Sequence, residues 1–307
     1  MQRRQVISGL FAALVLFDCC IGLGVEETYS VSVLGDMHYD AFPEERFHSK
    51  AIALWAEKGW GHSMRLLEFK RNAKMWQDIG MRTLEASSKS ARPDAAFVLQ
   101  LGDLVQGDCE DNELHIQMLS EAMALLTNAF PKIPVVTVSG NHDIRQGHDG
   151  RGASKPYAEY MTKFESEQLK PLIPDGVKTT TFGFRRGRDL WIFLDFNNGA
   201  RDVKVVKELL AANEDARYTF ICSHGPILPM NVWRCRWFYL GEAKDDALRR
   251  EMRALFAKRN AFVLAGHVHT LEKTVWEEDG GRITEMVLNT CALNSRSETY
   301  PAVPNVL

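Results

Sequence analysis

A chain of 307 residues, 45% hydrophobic and 25% charged, has ordinary globular composition and the length of one large domain or two small ones. A formal net charge of −3 and a pI near 6.3 argue against a general binder of nucleic-acid backbone, which carries a basic footprint. The sequence contains no repeat, heptad or low-complexity tract, and this excludes solenoids and coiled coils.

The first element, "MQRRQVISGLFAALVLF" (1–17), is a short basic region followed by an apolar run that Asp18 closes. This is the layout of a secretory signal, and the adjacent Arg3 and Arg4 resemble a twin-arginine export signal. Gly22 and Gly24 offer a cleavage site before Val25. Residues 1–24 are therefore expected to be a signal peptide and 25–307 the working domain, exported to a periplasmic or extracellular space. An uncleaved N-terminal anchor is the alternative, and the one membrane contact expected. Cys19 and Cys20 suggest a lipoprotein signal, which Asp18 fits poorly. Cys109, Cys222, Cys235 and Cys291 permit disulfides whose pairing cannot be read from sequence. No CxxC pair is present, so a structural zinc site is not expected. Cys222 and Cys291 read as small core residues on strands.

Beyond the leader, short apolar runs end repeatedly in glycine or a polar cluster: 28–35, 94–102, 133–140, 217–225 and 260–267. Between them, residues 64–87, 113–130, 202–215 and 243–260 carry apolar side chains at three- and four-residue steps, the helical period. Strands alternating with helices predict an α/β layered fold with helices on sheet faces. Four further runs, "KTTTFGFRRG", "DLWIFLDF", "KTVWEEDG" and "RITEMVLNT", alternate more strictly and read as antiparallel additions or a second sheet. The expected architecture is two sheets in a sandwich flanked by helices, with no interdomain linker.

Each of the five principal strands ends in groups that bind metal. In order they are "GDMH" (Asp36, His38), "GDLVQGD" (Asp103), "GNHD" (Asn141, His142, Asp143), "SHG" (His224) and "GHVH" (His267, His269). Ligands of open α/β sheets bind beyond the carboxyl ends of the strands, so the five ends are expected to converge on one cleft. One such residue alone is most simply a cap, but five ends in a row are not explained that way. Carboxylate, imidazole and amide oxygen together suit Mn²⁺, Fe²⁺ or Zn²⁺. The set is larger than one ion needs, and a shared aspartate can serve two neighbouring cations. Glycines before Asp36, Asp103, Asn141 and His267 let the backbone approach the site closely. His48, His62, His115 and His148 receive ordinary assignments, His115 on a helix and the others in loops.

The ordered set GDMH, GDLVQG, GNHD, SHG and GHVH, spanning about residues 29–270, resembles the calcineurin-like metallophosphoesterase signature. The resemblance implies a four-layer α/β/β/α sandwich, two mixed β-sheets flanked by helices, with two divalent ions (Mn, Fe or Zn). It implies that Asp36, His38 and His269 hold one ion, Asn141, His224 and His267 the other, and Asp103 both. His142 would be no ligand but would contact the phosphate or protonate the leaving oxygen. Asp143 then either orients the His142 ring or is a loop cap, since Asx residues favour turns. The implied activity is phosphoester hydrolysis, a metal-bridging hydroxide attacking phosphorus. Purple acid phosphatases differ: they carry tyrosine where this chain has Gln106, and another residue in place of His38.

Specificity is expected from the loops over the cleft. Residues 39–63 read as a long insertion, and 144–160 as a loop bearing Arg145, Arg151 and Lys155. "PMNVWRCRWFYLG" (229–241) places Arg234 and Arg236 beside Trp233 and Trp237. Guanidinium and aromatic faces there suit a base and a phosphate, although aromatics packed against the sandwich are the simpler explanation of the pattern. Arg145, Arg234, Arg236 and Trp237 are the candidate substrate contacts. The expected partner is a small-molecule phosphoester, with no obligate nucleic acid. A metal-dependent nuclease on the same fold and a silent metal-binding module are the alternatives; oligomeric state is not legible.

Overall fold

The computed structural model describes residues 28–59, 64–146, 151–229 and 246–291. The runs that end in GDMH, GDLVQ and GNHD form one sheet. Strands β1 (Val31–Leu34), β2 (Phe97–Gln100) and β3 (Val135–Thr137) pair in parallel, in that order. Their residues are buried on both faces, apart from a partly exposed Val31, which is why they read as near-continuous apolar runs.

The second sheet has six strands: β4 (Phe182–Arg186), β5 (Asp189–Phe193), β6 (Thr219–Ser223), β7 (Phe262–Ala265), β8 (Glu272–Glu278) and β9 (Gly281–Val287). Their spatial order is β4-β5-β6-β7-β9-β8. The inner four run parallel, while β4 and β8 are antiparallel edges. The antiparallel additions expected from sequence are therefore edges only. Their partners β5 and β9 join β6 and β7, so the principal strands are split three and two between the sheets.

Seven α-helices are described: α1 (Glu45–Glu57), α2 (Met64–Met75), α3 (Met81–Ser90), α4 (Asn112–Ala129), α5 (Ser154–Gln168), α6 (Ala200–Ala212) and α7 (Asp246–Lys258). The stretch expected as one helix over 64–87 is divided by a single wide π-turn, Trp76–Gly80. The supposed loop at 144–160 becomes helical at Ser154. The insertion 39–63 contains α1, which corrects the loop assignment of His48. That side chain is buried on the helix, its Nε2 3.1 Å from both Asp40 carboxylate oxygens, its ring stacked on Phe69 at 4.0 Å.

Three apolar layers give the sandwich. Leu34, Val98 and Val135 pack against α4 and α5 through Met118, Leu119, Ala122, Tyr157 and Met161. Between the sheets, Val33, Phe97, Leu99 and Val136 meet Phe184, Trp191, Phe193 and Cys222. Phe97 makes edge contacts with Trp191 and Phe184, at 4.9 and 5.6 Å between centroids. On the far side, Ile192, Ile221 and Val263 pack against Val206 of α6 and Met252 and Phe256 of α7. Truncating a central ring such as Phe97 to alanine costs about 3–5 kcal/mol in cores of this kind. Cys109, Cys222 and Cys291 are buried and free; Cys291 follows β9 rather than lying on a strand. No helix among the described residues is long and apolar enough to cross a membrane. The proposed leader, residues 1–24, lies outside the described residues.

Candidate metal centre

Every candidate ligand sits just past the carboxyl end of a strand. Asp36 and His38 follow β1, Asp103 follows β2 and Asn141 follows β3; from the other sheet, His224 follows β6, and His267 and His269 follow β7. The cleft is thus shared by the ends of both sheets. Four of these residues turn the chain sharply: His38, Asp103, His267 and His269 have φ of 48°, 49°, 69° and 55°. Left-handed backbone at residues other than glycine costs about 1–3 kcal/mol each and persists where the surroundings enforce it, typically at functional sites. Two glycines permit the close approach of separate segments. A Cβ on Gly140 would lie 2.2 Å from Asp103 N and Oδ1, and one on Gly266 would lie 2.2 Å from Asp36 Oδ1.

The side chains converge as two overlapping groups. Asp36, His38, Asp103 and His269 bring one donor atom each within 4.8 Å of one another, and so do Asp103, His224 and His267. Asp103 belongs to both. Asn141 joins the second group, its Oδ1 3.1 Å from His224 Nε2. Main chain and side chains behind the site fix the rings. The Leu101 carbonyl, 2.8 Å from His224 Nδ1, takes that proton and leaves Nε2 facing the cleft; Gln106 Oε1, at 3.3 Å, faces His38 Nδ1 in the same way. Such outer partners set the ligating tautomer. Asp36 accepts the His267 main-chain N–H at 2.9 and 3.0 Å.

These donors fit cations. His38 Nε2 faces His269 Nε2 at 3.1 Å, and His267 Nδ1 faces His224 Nε2 at 3.0 Å. Lone pairs that converge at such distances beside two buried carboxylates are best satisfied by a positive ion among them. Burial works against ionising Asp36, but His269 and His224 outweigh it and lower its pKa. Asp103 is likewise opposed by burial, yet His224, His142 and His38 hold it well below the usual range. Without a cation a proton serves the same carboxylates: burial opposes charge on His224, but Asp103 and then Asp36 raise its pKa to about 9. His267 is pushed down to about 4 by burial and then by His224.

The sequence profile of the calcineurin-like phosphoesterase family matches residues 29–271. The chain belongs to that family. Its fold resembles a dimetal phosphatase from Danio rerio, with a TM-score of 0.51 at 12% identity over 86% of this chain and 88% of that one. A purple acid phosphatase from yellow lupin gives 0.48 at 15% identity, over 90% of this chain and 47% of the other. The phosphopantetheinyl hydrolase of Mycobacterium tuberculosis gives 0.44 at 14%, over 89% and 93%. No curated protein sequence matches the chain. Dinuclear metal binding is typical of this phosphoesterase family, and the two groups sharing Asp103 are its candidate ligands here.

His142 lines the phosphoesterase cleft without joining either group. Its main-chain N–H donates to Asp103 Oδ1 at 2.7 Å, and its Nδ1–H to the Gln106 carbonyl at 2.9 Å. Its Nε2 faces Arg145 Nη1 at 3.2 Å. Burial, then the Arg145 guanidinium, holds its pKa well below the ordinary value. The Asp143 carboxylate does not contact this ring, which corrects the reading in which it orients the imidazole. It accepts instead from the main chain of Gly140 (2.8 Å) and Val105 (3.1 Å). Amides left unpaired where a strand ends need an acceptor, so Asp143 is a turn cap that ties together two loops carrying candidate ligands. Burial, then Asp103, pushes its pKa up to about 7.

Gln106 was legible only as the absence of a tyrosine, yet its side chain orients His38 and its carbonyl orients His142. Phe196 was not foreseen. Its ring lies 5.4 Å from that of His224 and 5.7 Å from that of His267, and its N–H donates to Ser139 Oγ at 2.9 Å. The signal was a further strand end, "LDFNN", whose Asp195 accepts from Ser139 and Thr180. His115, given an ordinary helical role, lies with Nε2 2.7 Å from the Asp143 carbonyl. Arg145 is half-buried beside the cleft; Arg234, Arg236 and Trp237 lie outside the described residues.

Proposed function

We propose that this protein hydrolyses phosphoester bonds in small molecules with the help of two divalent cations, of Mn, Fe or Zn. The observation that carries the reading is Asp103, one buried carboxylate common to two groups of metal donors, with His142 hydrogen-bonded to it. When bound, the cations supply charge neutralisation and lower the pKa of water. The protein's own part is positioning. Asp36, His38 and His269 would hold one cation, Asn141, His224 and His267 the second, and Asp103, common to both groups, would serve each of them. The His142 ring, anchored through Nδ1, presents Nε2 beside the phosphate site, where the negative charge of a bound phosphate raises its low pKa and lets it carry a proton to the leaving oxygen. The N-terminal sequence supports action outside the cytoplasm. A nuclease of the same fold would need a positive groove, and the net charge of −3 disfavours it.

The test is purified protein loaded with Mn²⁺, Fe²⁺ or Zn²⁺ and offered aryl phosphate mono- and diesters, then nucleotides and DNA. Turnover that needs the cation and stops on chelation is expected. Full metal content with no turnover across the panel would leave a silent binding module; cleavage confined to DNA would favour the nuclease.

A further inference from the structure

Arg145 is clamped rather than loosely placed. Its Nε lies 2.6 Å from Asp108 Oδ2, and the two side chains are 14% and 0% exposed. The Arg145 carbonyl in turn accepts the Asp108 main-chain N–H at 2.6 Å, at a left-handed residue with φ of 59°. The far edge of the guanidinium, Nη1, comes within 3.2 Å of His142 Nε2. That ring is 4.4 Å from the ring of the candidate ligand His38. A fixed planar cation therefore stands at Nε2 of the histidine that borders the metal groups.

We infer that Arg145, aimed by Asp108, engages a terminal phosphate oxygen and makes the centre selective for phosphomonoester dianions over diesters. The inference rests on the phosphoesterase reading and names its substrate class. A monoester near neutral pH carries between one and two negative charges, with a second pKa about 6, and has three terminal oxygens. A diester carries one charge and two terminal oxygens, because its second ester bond replaces the third. A guanidinium stays charged at all working pH values and matches phosphate oxygens with a rigid fork. Clamping by a buried carboxylate leaves it little freedom to lose when the ligand arrives. The extra oxygen and charge are what such a group rewards.

The rival reading is a purely structural ion pair joining the 106–108 turn to the 142–145 turn. The two differ in the ratio of activities, since a structural defect lowers both esters together. The experiment measures kcat/KM for 4-nitrophenyl phosphate and bis(4-nitrophenyl) phosphate, and binding of inorganic phosphate by calorimetry. Metal content is determined in every sample. The variants are Arg145→Gln, Asp108→Asn and the pair combined, which strands no buried charge if Arg145→Gln alone folds poorly. Wild type is expected to prefer the monoester. In Arg145→Gln and in the double variant the monoester-to-diester ratio falls about 10- to 100-fold, the worth of one charged hydrogen bond, and phosphate binding weakens in step. Asp108→Asn moves both readouts the same way by less. Equal losses on both esters, or an unchanged ratio and unchanged phosphate affinity with two cations bound, would overturn the inference and leave the phosphoesterase reading standing. A wild type that holds its cations and turns over neither ester would remove that reading and this inference together.

Discussion

Asp103 takes the His142 main-chain N–H on Oδ1 at 2.7 Å and turns Oδ2 towards His224 and His38, at 3.3 and 3.6 Å. One carboxylate oxygen is spent on the scaffold and the other faces both donor groups. The relationship fixes the distance between the GNHD turn and the candidate metal groups.

Asp103→Asn removes the one charge common to both groups. Metal content by elemental analysis under limiting metal is expected to fall for both positions, from two ions per chain to fewer than one. Loss of a single ion with the other retained would show that the carboxylate is not shared.

His142→Ala leaves every candidate ligand in place. Both cations should remain, while hydrolysis of alkyl esters with poor leaving groups falls about 10²- to 10⁴-fold, the usual worth of a positioned general acid. The better leaving group 4-nitrophenolate should suffer less. Undiminished alkyl ester turnover would remove the proton-donor role.

Gly140→Ala and Gly266→Ala each place a methyl group 2.2 Å from a neighbouring atom of Asp103 or Asp36. Neither neighbour has room to retreat, since both carboxylates are fixed by main-chain N–H groups. Each variant should lose about 1–3 kcal/mol of stability and bind metal more weakly in calorimetry. Wild-type melting temperature and metal affinity would mean that the strand ends can separate at little cost.

Glu285, fully buried on β9, accepts the main-chain N–H groups of Ile227 (2.6 Å) and Leu228 (3.2 Å), close after the candidate ligand His224. Burial outweighs those bonds and pushes its pKa from 4.5 up to about 8. A carboxyl that holds its proton more tightly in the fold favours folding below the unfolded value. That advantage fades as pH rises from about 4.5 to 8, at up to about 1.4 kcal/mol per pH unit. Glu285→Gln should remove this slope. Urea unfolding at pH 5, 6.5 and 8 would read it, and identical slopes in both proteins would mean that the group is ionised in the fold.

The strand ends were legible because each is local: a β-branched run, a glycine and a polar cluster are neighbours in the chain. The same locality misled at Asp143, whose place beside His142 suggested a pair. Its carboxylate serves Val105 instead, from a different strand end. Residue 106 stood out in sequence only as a departure from tyrosine. Its importance comes from His38 and His142, which folding brings to opposite ends of the same residue.

By itself the chain determined the order of its strands and helices, the candidate donor types at five strand ends, and the family those blocks carry. Tertiary structure decided how the strands divide between two sheets, which carbonyls hold the His224 and His142 imidazoles, and that Phe196 flanks two of the rings. Those outcomes depend on which main-chain groups sheet pairing leaves unsatisfied and which distant segment meets them. Ser139 finds Asp195 at a separation of 56 residues, and no periodicity in the sequence encodes a partner so far away.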